Sequence, residues 1–278
     1  MSDIKNLQWD NRKNGRTPLR QMQLVELRLL RVFDYICRKH GLTYWLAGGT
    51  LLGAIRHDGF IPWDDDIDVG MPLEDAKRFL ALADKELPGD VSWGRTVSAY
   101  AKSHHPCIKL YDAYSSAYTK DSDYASIKHI GISLDIFVWI EYVNDSGILF
   151  KVLYWMMHNI RRLSHFSITR HLVKPGLMVL DSIFRYLNNG SKIGMGHHPY
   201  ETTKRAGDVF PRNILLPTKS IKFEGYEFTG PADPHEYLSR AYGDYMRLPP
   251  EHERKAHESI ILPFTKCNHS RAMEWPVD

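Results

Sequence analysis

The chain has 278 residues, 43% hydrophobic and 25% charged, which is enough to bury one large core. A formal net charge of +3, without a long basic run, does not indicate a nucleic-acid partner, and we expect none. Three scattered cysteines form neither a disulfide framework nor a paired zinc motif, which favours a reducing, cytoplasmic location. We expect no secretory signal in the polar N-terminal stretch and no membrane-spanning helix.

Helical and strand patterns alternate over the first third of the chain. Residues 1–18 are predicted to be flexible. The hydrophobic spacing and the Gly and Pro positions predict, in chain order, a helix over 19–40, a strand over 43–46, a Gly48–Gly49 turn, a helix over 50–56, a strand over 66–69 and a helix from about 74 to 87. The short strands and helices indicate an α/β chain, or α+β by stricter usage, with helices beside a short mixed sheet.

The rest of the chain adds strands and a different, aromatic segment. Strands are predicted over 107–111 and 132–140, a hairpin over 221–228 and a short helix over 233–242. Between them, residues 147–195 are rich in aromatic and methionine side chains at helical spacing. We therefore predict one catalytic domain over 19–278 that carries a helical insertion at about 147–195.

Four carboxylates crowd into five positions at Asp64, Asp65, Asp66 and Asp68. Like charges this close repel one another unless a cation lies among them. On a strand, Asp66 and Asp68 point to the same side while Ile67 and Val69 enter the core. The pattern therefore predicts that Asp66 and Asp68 hold Mg²⁺ or Mn²⁺, hard cations that bind carboxylates and substrate phosphates.

An anion-binding turn precedes the acids. Gly48 and Gly49 lack Cβ atoms, so their backbone can approach a phosphate closely. Thr50 is predicted to open a helix whose N-terminus favours an anion. Arg56, near the end of that helix, can add charge-assisted hydrogen bonds to a phosphate. Taken alone, the two glycines also suit a tight turn without a ligand, and Arg56 also suits a solvated surface position.

A third acid and a lysine lie on the later strands. Asp135 is predicted to point away from the buried face of its strand, as a metal ligand, as the general base for a hydroxyl group or as a structural acid that caps a loop. Lys109 alternates with apolar neighbours, so it can face a phosphate or extend from a sheet edge into solvent. A calcium loop is disfavoured because Val69 stands at the turn position that requires glycine.

The stretch YWLAGGTLLGAIRHDGFIPWDDDIDVGM over 44–71 resembles the LicD/fukutin family, a branch of the nucleotidyltransferase-like superfamily. That superfamily has a glycine turn, a strand with two acids and a third acid on a later strand, which fall here on Gly48–Gly49, on Asp66 with Asp68, and on Asp135. Weaker matches at 108–110, 131–137 and 223–250 extend the resemblance over about 20–258. Ala47 and Asp58 depart from the family pattern and leave the donor and the acceptor open.

The resemblance implies transfer of a phospho-alcohol group, with phosphocholine as the expected one, from a CDP-activated donor to a hydroxyl of a cell-surface glycan such as teichoic acid or lipopolysaccharide, releasing CMP. The alternatives are a nucleotidyltransferase that uses the same residues, a D-x-D glycosyltransferase and a binding module without turnover.

The segment 148–174 suits either a core helix or an interfacial helix on an anionic membrane. The second reading fits a lipid-linked acceptor and a position at the inner face of the plasma membrane.

Overall fold

The computed structural model describes residues 10–97, 106–118, 131–142, 192–195, 209–256 and 260–266, and six single helical residues at 152, 156, 176, 179, 182 and 183. The α-helices are α1 Pro18–His40, α2 Gly48–His57, α3 Leu73–Glu86, α4 Arg212–Leu215 and α5 Pro234–Tyr242. Short 3₁₀ turns lie at Arg12–Asn14 and Glu251–Glu253. Within the described residues, no helix is long and apolar enough to cross a bilayer.

The ends of α1 follow from the local chemistry of the sequence. The Thr17 side chain accepts a hydrogen bond from the Arg20 amide, and Pro18 occupies the first turn, where no amide proton is needed. At the other end, Gly41 takes a left-handed φ of 60° after a basic last turn. The predicted helix over 19–40 is therefore confirmed almost to the residue.

The strands are β1 Trp45–Leu46, β2 Asp68–Pro72, β3 Val91–Val97, β4 Pro106–Asp112, β5 Ser116–Tyr118, β6 Ser133–Tyr142, β7 Lys192–Met195, β8 Val209–Pro211, β9 Lys219–Phe223, β10 Tyr226–Gly230 and β11 Ile260–Leu262. The main sheet has the order β1-β2-β6-β4-β3, with β7 on the far part of β6 and β8 on β7. Strands β2 and β6 are parallel, and all other pairs of neighbouring strands in the main sheet are antiparallel. This mixed sheet with flanking helices confirms the predicted fold class.

The core lies between the sheet and the first three helices. Trp45 of β1 and Trp139 of β6 are fully buried and meet edge to face, with ring centroids 5.5 Å apart. Gly70 lies between them, because a Cβ there would stand 2.4 Å from Trp45 Nε1 and 2.9 Å from Trp139 Nε1. The two tryptophans thus bring β1, β2 and β6 together and fix the position of β2.

The hairpin of β9 and β10 anchors the loop that leads to the acids. The Glu224 carboxylate accepts hydrogen bonds from the Arg20 guanidinium at 3.0 and 2.6 Å and from the Phe60 amide at 3.2 Å. The Glu224 amide donates to the Asp58 carbonyl at 3.0 Å. Burial alone would raise the pKa of Glu224, but these donors outweigh burial and lower it. The hairpin thus ties α1 to the loop before β2.

The predicted helical insertion over 147–195 lies largely outside the described residues. Its six described residues between 152 and 183 are helical, and β7 occupies its last four positions. The short strands β3, β5, β7, β8 and β11 were not predicted.

Candidate functional site

Two acids meet at one edge of the parallel pair. Asp68 opens β2 and stands in register with Asp135 of β6, whose amide donates to the Ile67 carbonyl at 2.9 Å. Ile67, Val69 and the neighbours of Asp135 are fully buried, whereas the acids at alternating positions are partly exposed. The side-chain alternation predicted from the sequence is present on both strands.

The other acids lie in the loop before β2. The sequence predicted Asp66 inside the strand, but β2 begins at Asp68, and Asp66 stands two residues before it. Burial and then the charges of Asp66, Asp135 and Asp64 raise the pKa of Asp68 well above its usual value. Burial, Asp66 and Asp65 likewise raise the pKa of Asp64 to about 8, against a smaller opposing effect of Arg56. These carboxylates thus lie close enough to hinder one another's ionisation.

Lys109 faces the third acid. It is paired in register with Asp135 on the neighbouring strand β4, and its Nζ lies 2.8 Å from Asp135 Oδ1. Ser133 Oγ lies 3.4 Å from the same oxygen. Burial opposes the charge on Lys109, but the Asp135 carboxylate outweighs burial and raises the pKa of the lysine. Lys109 therefore stays charged beside the Asp135 side chain.

The N-terminus of α2 touches the acids. The sequence predicted a Gly48–Gly49 turn with the helix opening at Thr50, but the helix begins at Gly48. A Cβ at Gly48 would stand 2.6 Å from Asp68 Oδ2, and one at Gly49 would stand 2.6 Å from Asp64 Oδ2. Gly48 also has a φ of 52°, which lets the extended chain turn directly into the helix. This geometry is why the helix starts two residues earlier than predicted.

Thr50 ties the helix to the acid strand. Its hydroxyl is buried and accepts a hydrogen bond from the Asp68 amide at 2.8 Å. The Ala47 amide donates to the Asp68 carbonyl at 3.0 Å, on the other side of the same residue. The backbone of Asp68 is thus fixed from both sides, which limits the positions that its carboxylate can take.

Arg56 lies at the far end of α2 and lines a cavity of about 780 Å³. Its Nη1 donates to the Tyr245 carbonyl at 2.8 Å. Burial lowers the pKa of Arg56, Asp64 opposes that effect, and Arg254 adds to it. Arg56 therefore lies within electrostatic reach of both the acids and a second guanidinium group.

Glu26, buried on the core face of α1, was not predicted from the sequence to belong to the site. Glu26 is fully buried, and neither of its carboxylate oxygens has a hydrogen-bond partner in the described part of the chain. Burial, followed by the charges of Asp66, Asp65, Asp64 and Asp135, raises its pKa well above the usual value. An acid between apolar residues at helical spacing was the signal that could have identified it.

The acids have the chemistry of a site for a hard divalent cation. Carboxylate oxygens are the ligands that Mg²⁺ prefers, and the charges of neighbouring acids help to raise the pKa of Asp64 and of Asp68, so a cation among them would relieve this repulsion. In the side-chain positions seen over the described ranges, no group of three or more His, Cys, Asp or Glu residues is arranged to hold a metal. Asp135 instead contacts Lys109.

Comparison with known proteins finds relatives that span these residues. The model of a family described as LicD/FKTN/FKRP, nucleotidyltransferase domain, matches residues 41–176. The chain is 30% identical over 269 residues to the lipopolysaccharide cholinephosphotransferase LicD of Haemophilus influenzae, over 88% of this chain and 98% of that protein. It is 37% identical over 95 residues to human ribitol 5-phosphate transferase FKRP, over 30% and 19% of the two chains. Human ribitol-5-phosphate transferase FKTN is 35% identical over 69 residues, over 24% and 15%.

Proposed function

Because the chain belongs to the LicD family, we propose that it is a transferase that moves a phospho-alcohol group onto a hydroxyl of a glycan. The observation that carries the proposal is the meeting of Asp68, Asp135 and the glycine-opened N-terminus of α2 at one point of the sheet. A helix N-terminus without nearby Cβ atoms suits phosphate oxygens, and carboxylates beside it suit the cation that accompanies them.

We further propose phosphocholine as the transferred group, a CDP-activated donor and CMP as the released nucleotide. The support is the similarity to the Haemophilus influenzae cholinephosphotransferase over 98% of its length, whereas FKRP and FKTN match only a part of this chain. The acceptor of that relative is lipopolysaccharide, and we propose a cell-surface glycan of this kind, or teichoic acid, for this chain.

The proposed reaction is a displacement at phosphorus. The glycan hydroxyl oxygen bonds to the phosphorus distal to cytidine, and the bond from that phosphorus to the bridging oxygen breaks, so CMP leaves with that oxygen. Asp66 and Asp68 would hold Mg²⁺ or Mn²⁺, with Asp135 as a further ligand; when bound, the cation neutralises charge on the diphosphate and the leaving CMP. The amides of Gly48, Gly49 and Thr50 are proposed to bind phosphate oxygens.

Asp135 has a second proposed role as the base that takes the hydroxyl proton. Its Oδ1 lies 2.8 Å from Lys109 Nζ. This role needs Asp135 to turn towards the acceptor, whereas the ligand role needs it to turn towards Asp68. Mn²⁺ binding by Asp135→Asn separates the roles, because removal of a ligand weakens metal binding, whereas removal of a base lowers turnover and leaves metal binding unchanged.

The released nucleotide tests the proposal against its rivals. Incubation of the protein with CDP-choline, a lipopolysaccharide acceptor and Mg²⁺ should yield CMP in a 1:1 ratio with phosphocholine on the glycan. A protein that instead forms pyrophosphate from a nucleoside triphosphate is a nucleotidyltransferase. One that releases a nucleoside diphosphate from a nucleotide sugar is a glycosyltransferase. Donor binding without any turnover would identify a binding module.

We also propose that the segment around 148–174 contacts an anionic membrane that carries the acceptor. The two apolar residues that the structure describes within 148–174 are exposed: Val152 by 48% and Met156 by 37%. Exposed apolar side chains next to a basic stretch suit the surface of an anionic bilayer. The protein should therefore float with vesicles that contain phosphatidylglycerol and less with vesicles of phosphatidylcholine alone. Recovery in the soluble fraction with both would contradict this part.

A further inference from the structure

The cavity that Arg56 lines offers a further binding site. It lies between the C-terminal half of α2, the loop at 61–63 and the chain that follows α5. We call it the arginine pocket and define it by Arg56, Trp63, Tyr242, Tyr245, Arg247 and Arg254. Its volume of about 780 Å³ falls in the range of sites for small molecules.

The arginines of this pocket are held without carboxylates. Arg56 donates to the Tyr245 carbonyl at 2.8 Å and Arg254 to the Pro249 carbonyl at 2.9 Å. Over the described part of the chain, neither guanidinium lies within 4.0 Å of a carboxylate oxygen; burial and the charge of Arg254 lower the pKa of Arg56 against the opposing charge of Asp64. Each carbonyl engages only part of a five-donor group, so N–H groups of both arginines remain for an anion.

Aromatic rings line the same pocket. The Arg254 guanidinium lies over the Trp63 ring, 5.2 Å from its centroid, and Tyr242 and Tyr245 contribute two further rings. Paired arginines next to aromatic faces bind a ligand that is both anionic and planar, because the rings stack on a base while the guanidinium groups take phosphate oxygens. A nucleotide has both features.

Two parts of the chain connect the arginine pocket to the acids. α2 has Gly49 against Asp64 at one end and Arg56 at the other, and seven helical residues span about 10 Å. Trp63 directly precedes Asp64 in the chain. One extended ligand can therefore reach the pocket with its base and the phosphate nearer to it, and the acid cluster with its distal phosphate.

The charges distinguish between the two ends of such a donor. A quaternary ammonium group also favours aromatic rings, but it requires an environment without cations. Three arginines and two acids, Asp244 and Glu251, line this pocket, so the arginines outnumber the acids. We propose that the arginine pocket seats the nucleotide half of the activated donor, an inference that rests on the proposed function, and that the alcohol end lies elsewhere.

Binding of CMP to the full-length protein, measured by titration calorimetry, tests the assignment without turnover. Arg254→Gln should weaken binding on the order of tenfold, because a charge-assisted hydrogen bond is lost. Trp63→Leu should weaken it by a similar factor through lost stacking. Arg240→Gln is the matched control, since Arg240 is an exposed arginine outside the pocket that pairs with Glu236, and it should leave binding within about twofold.

Three outcomes would overturn the assignment. They are no CMP binding by the wild-type protein, unchanged CMP binding in both pocket variants, and a loss of phosphocholine binding instead of CMP binding. Unchanged binding in the variants of a protein that still releases CMP would refute the pocket and leave the proposed function standing. A pocket-dependent CMP affinity in a protein that releases pyrophosphate or a nucleoside diphosphate would support the pocket and refute the phosphotransferase. Arg56→Gln should reproduce the Arg254→Gln result if the latter unfolds.

Discussion

Gly48→Ala should separate the function of the glycine from its role in the fold. A Cβ at Gly48 would stand 2.6 Å from Asp68 Oδ2, about 0.8 Å short of ordinary contact at 3.4 Å. Because Asp68 is fixed at its amide and its carbonyl, its side chain must absorb the displacement. The left-handed φ of 52° adds a backbone cost of about 1 kcal/mol for alanine.

Gly41→Ala is the matched control. Gly41 has a similar φ of 60°, but a Cβ there would meet nothing within 4 Å, and it lies at the end of α1. Both variants should thus lose about 1 kcal/mol of stability, or roughly 2–4 °C in Tm. Only Gly48→Ala should also lose activity, by about 100-fold, because a misplacement near 1 Å at the reacting groups costs about that much.

The assay combines thermal unfolding with the rate of CMP release from CDP-choline. Gly49→Ala provides a third comparison, because its Cβ would meet Asp64 Oδ2 at the end of a flexible side chain while its φ is unstrained. It should keep its stability and lose less activity than Gly48→Ala. If Gly41→Ala lost as much activity as Gly48→Ala, or if Gly48→Ala kept the wild-type rate, the placement of Asp68 in the active site would be refuted.

Three further predictions concern groups around the site. Lys109→Met should lower the free energy of unfolding in EDTA by about 1–3 kcal/mol, because Asp135 loses its ammonium partner, and Lys109→Arg should recover part of the loss. Equal denaturation midpoints for Lys109→Met and the wild type would contradict the pairing. Glu26→Gln should be more stable than the wild type at pH 8 in EDTA, and the difference should shrink towards pH 4. The reason is that a raised folded pKa costs stability as pH rises above the unfolded value. A stability difference that does not change with pH would contradict the buried acid. Glu224→Gln should cost about 1 kcal/mol at pH 7, and this cost should shrink as pH falls below the ordinary glutamate value, because the lowered folded pKa gives stability that is lost as pH falls through it. Denaturation at pH 7 and across the acid range measures this.

The sequence predicted the elements that carry a strong local signal. The helix α1 has apolar spacing, a proline start and a glycine end, and all three were readable. The alternation around Ile67 and Ile136 placed the acids on the side opposite the core. These features depend on neighbours in the chain, so periodicity is sufficient to find them.

The remaining features depend on contacts distant in sequence. That Lys109 meets Asp135 follows from the strand order β2-β6-β4, which no local pattern encodes. The early start of α2 depends on the left-handed Gly48 and its approach to Asp68. The arginine pocket joins α2 to the chain after α5, more than 180 residues later, so the resemblance over 223–250 marked the segment but not its contact with Arg56.

The claim at the centre of this account is that Asp68 takes part in phospho-alcohol transfer. Phosphorus NMR of CDP-choline incubated with a lipopolysaccharide acceptor and Mg²⁺ measures it directly. The wild-type protein should convert the two diphosphate signals into one CMP monoester signal and one phosphodiester signal on the glycan. Asp68→Asn, nearly isosteric and free of the charge, should leave the diphosphate intact while unfolding at no lower temperature. Wild-type conversion by Asp68→Asn, or no phosphodiester with the wild-type protein, would contradict the account.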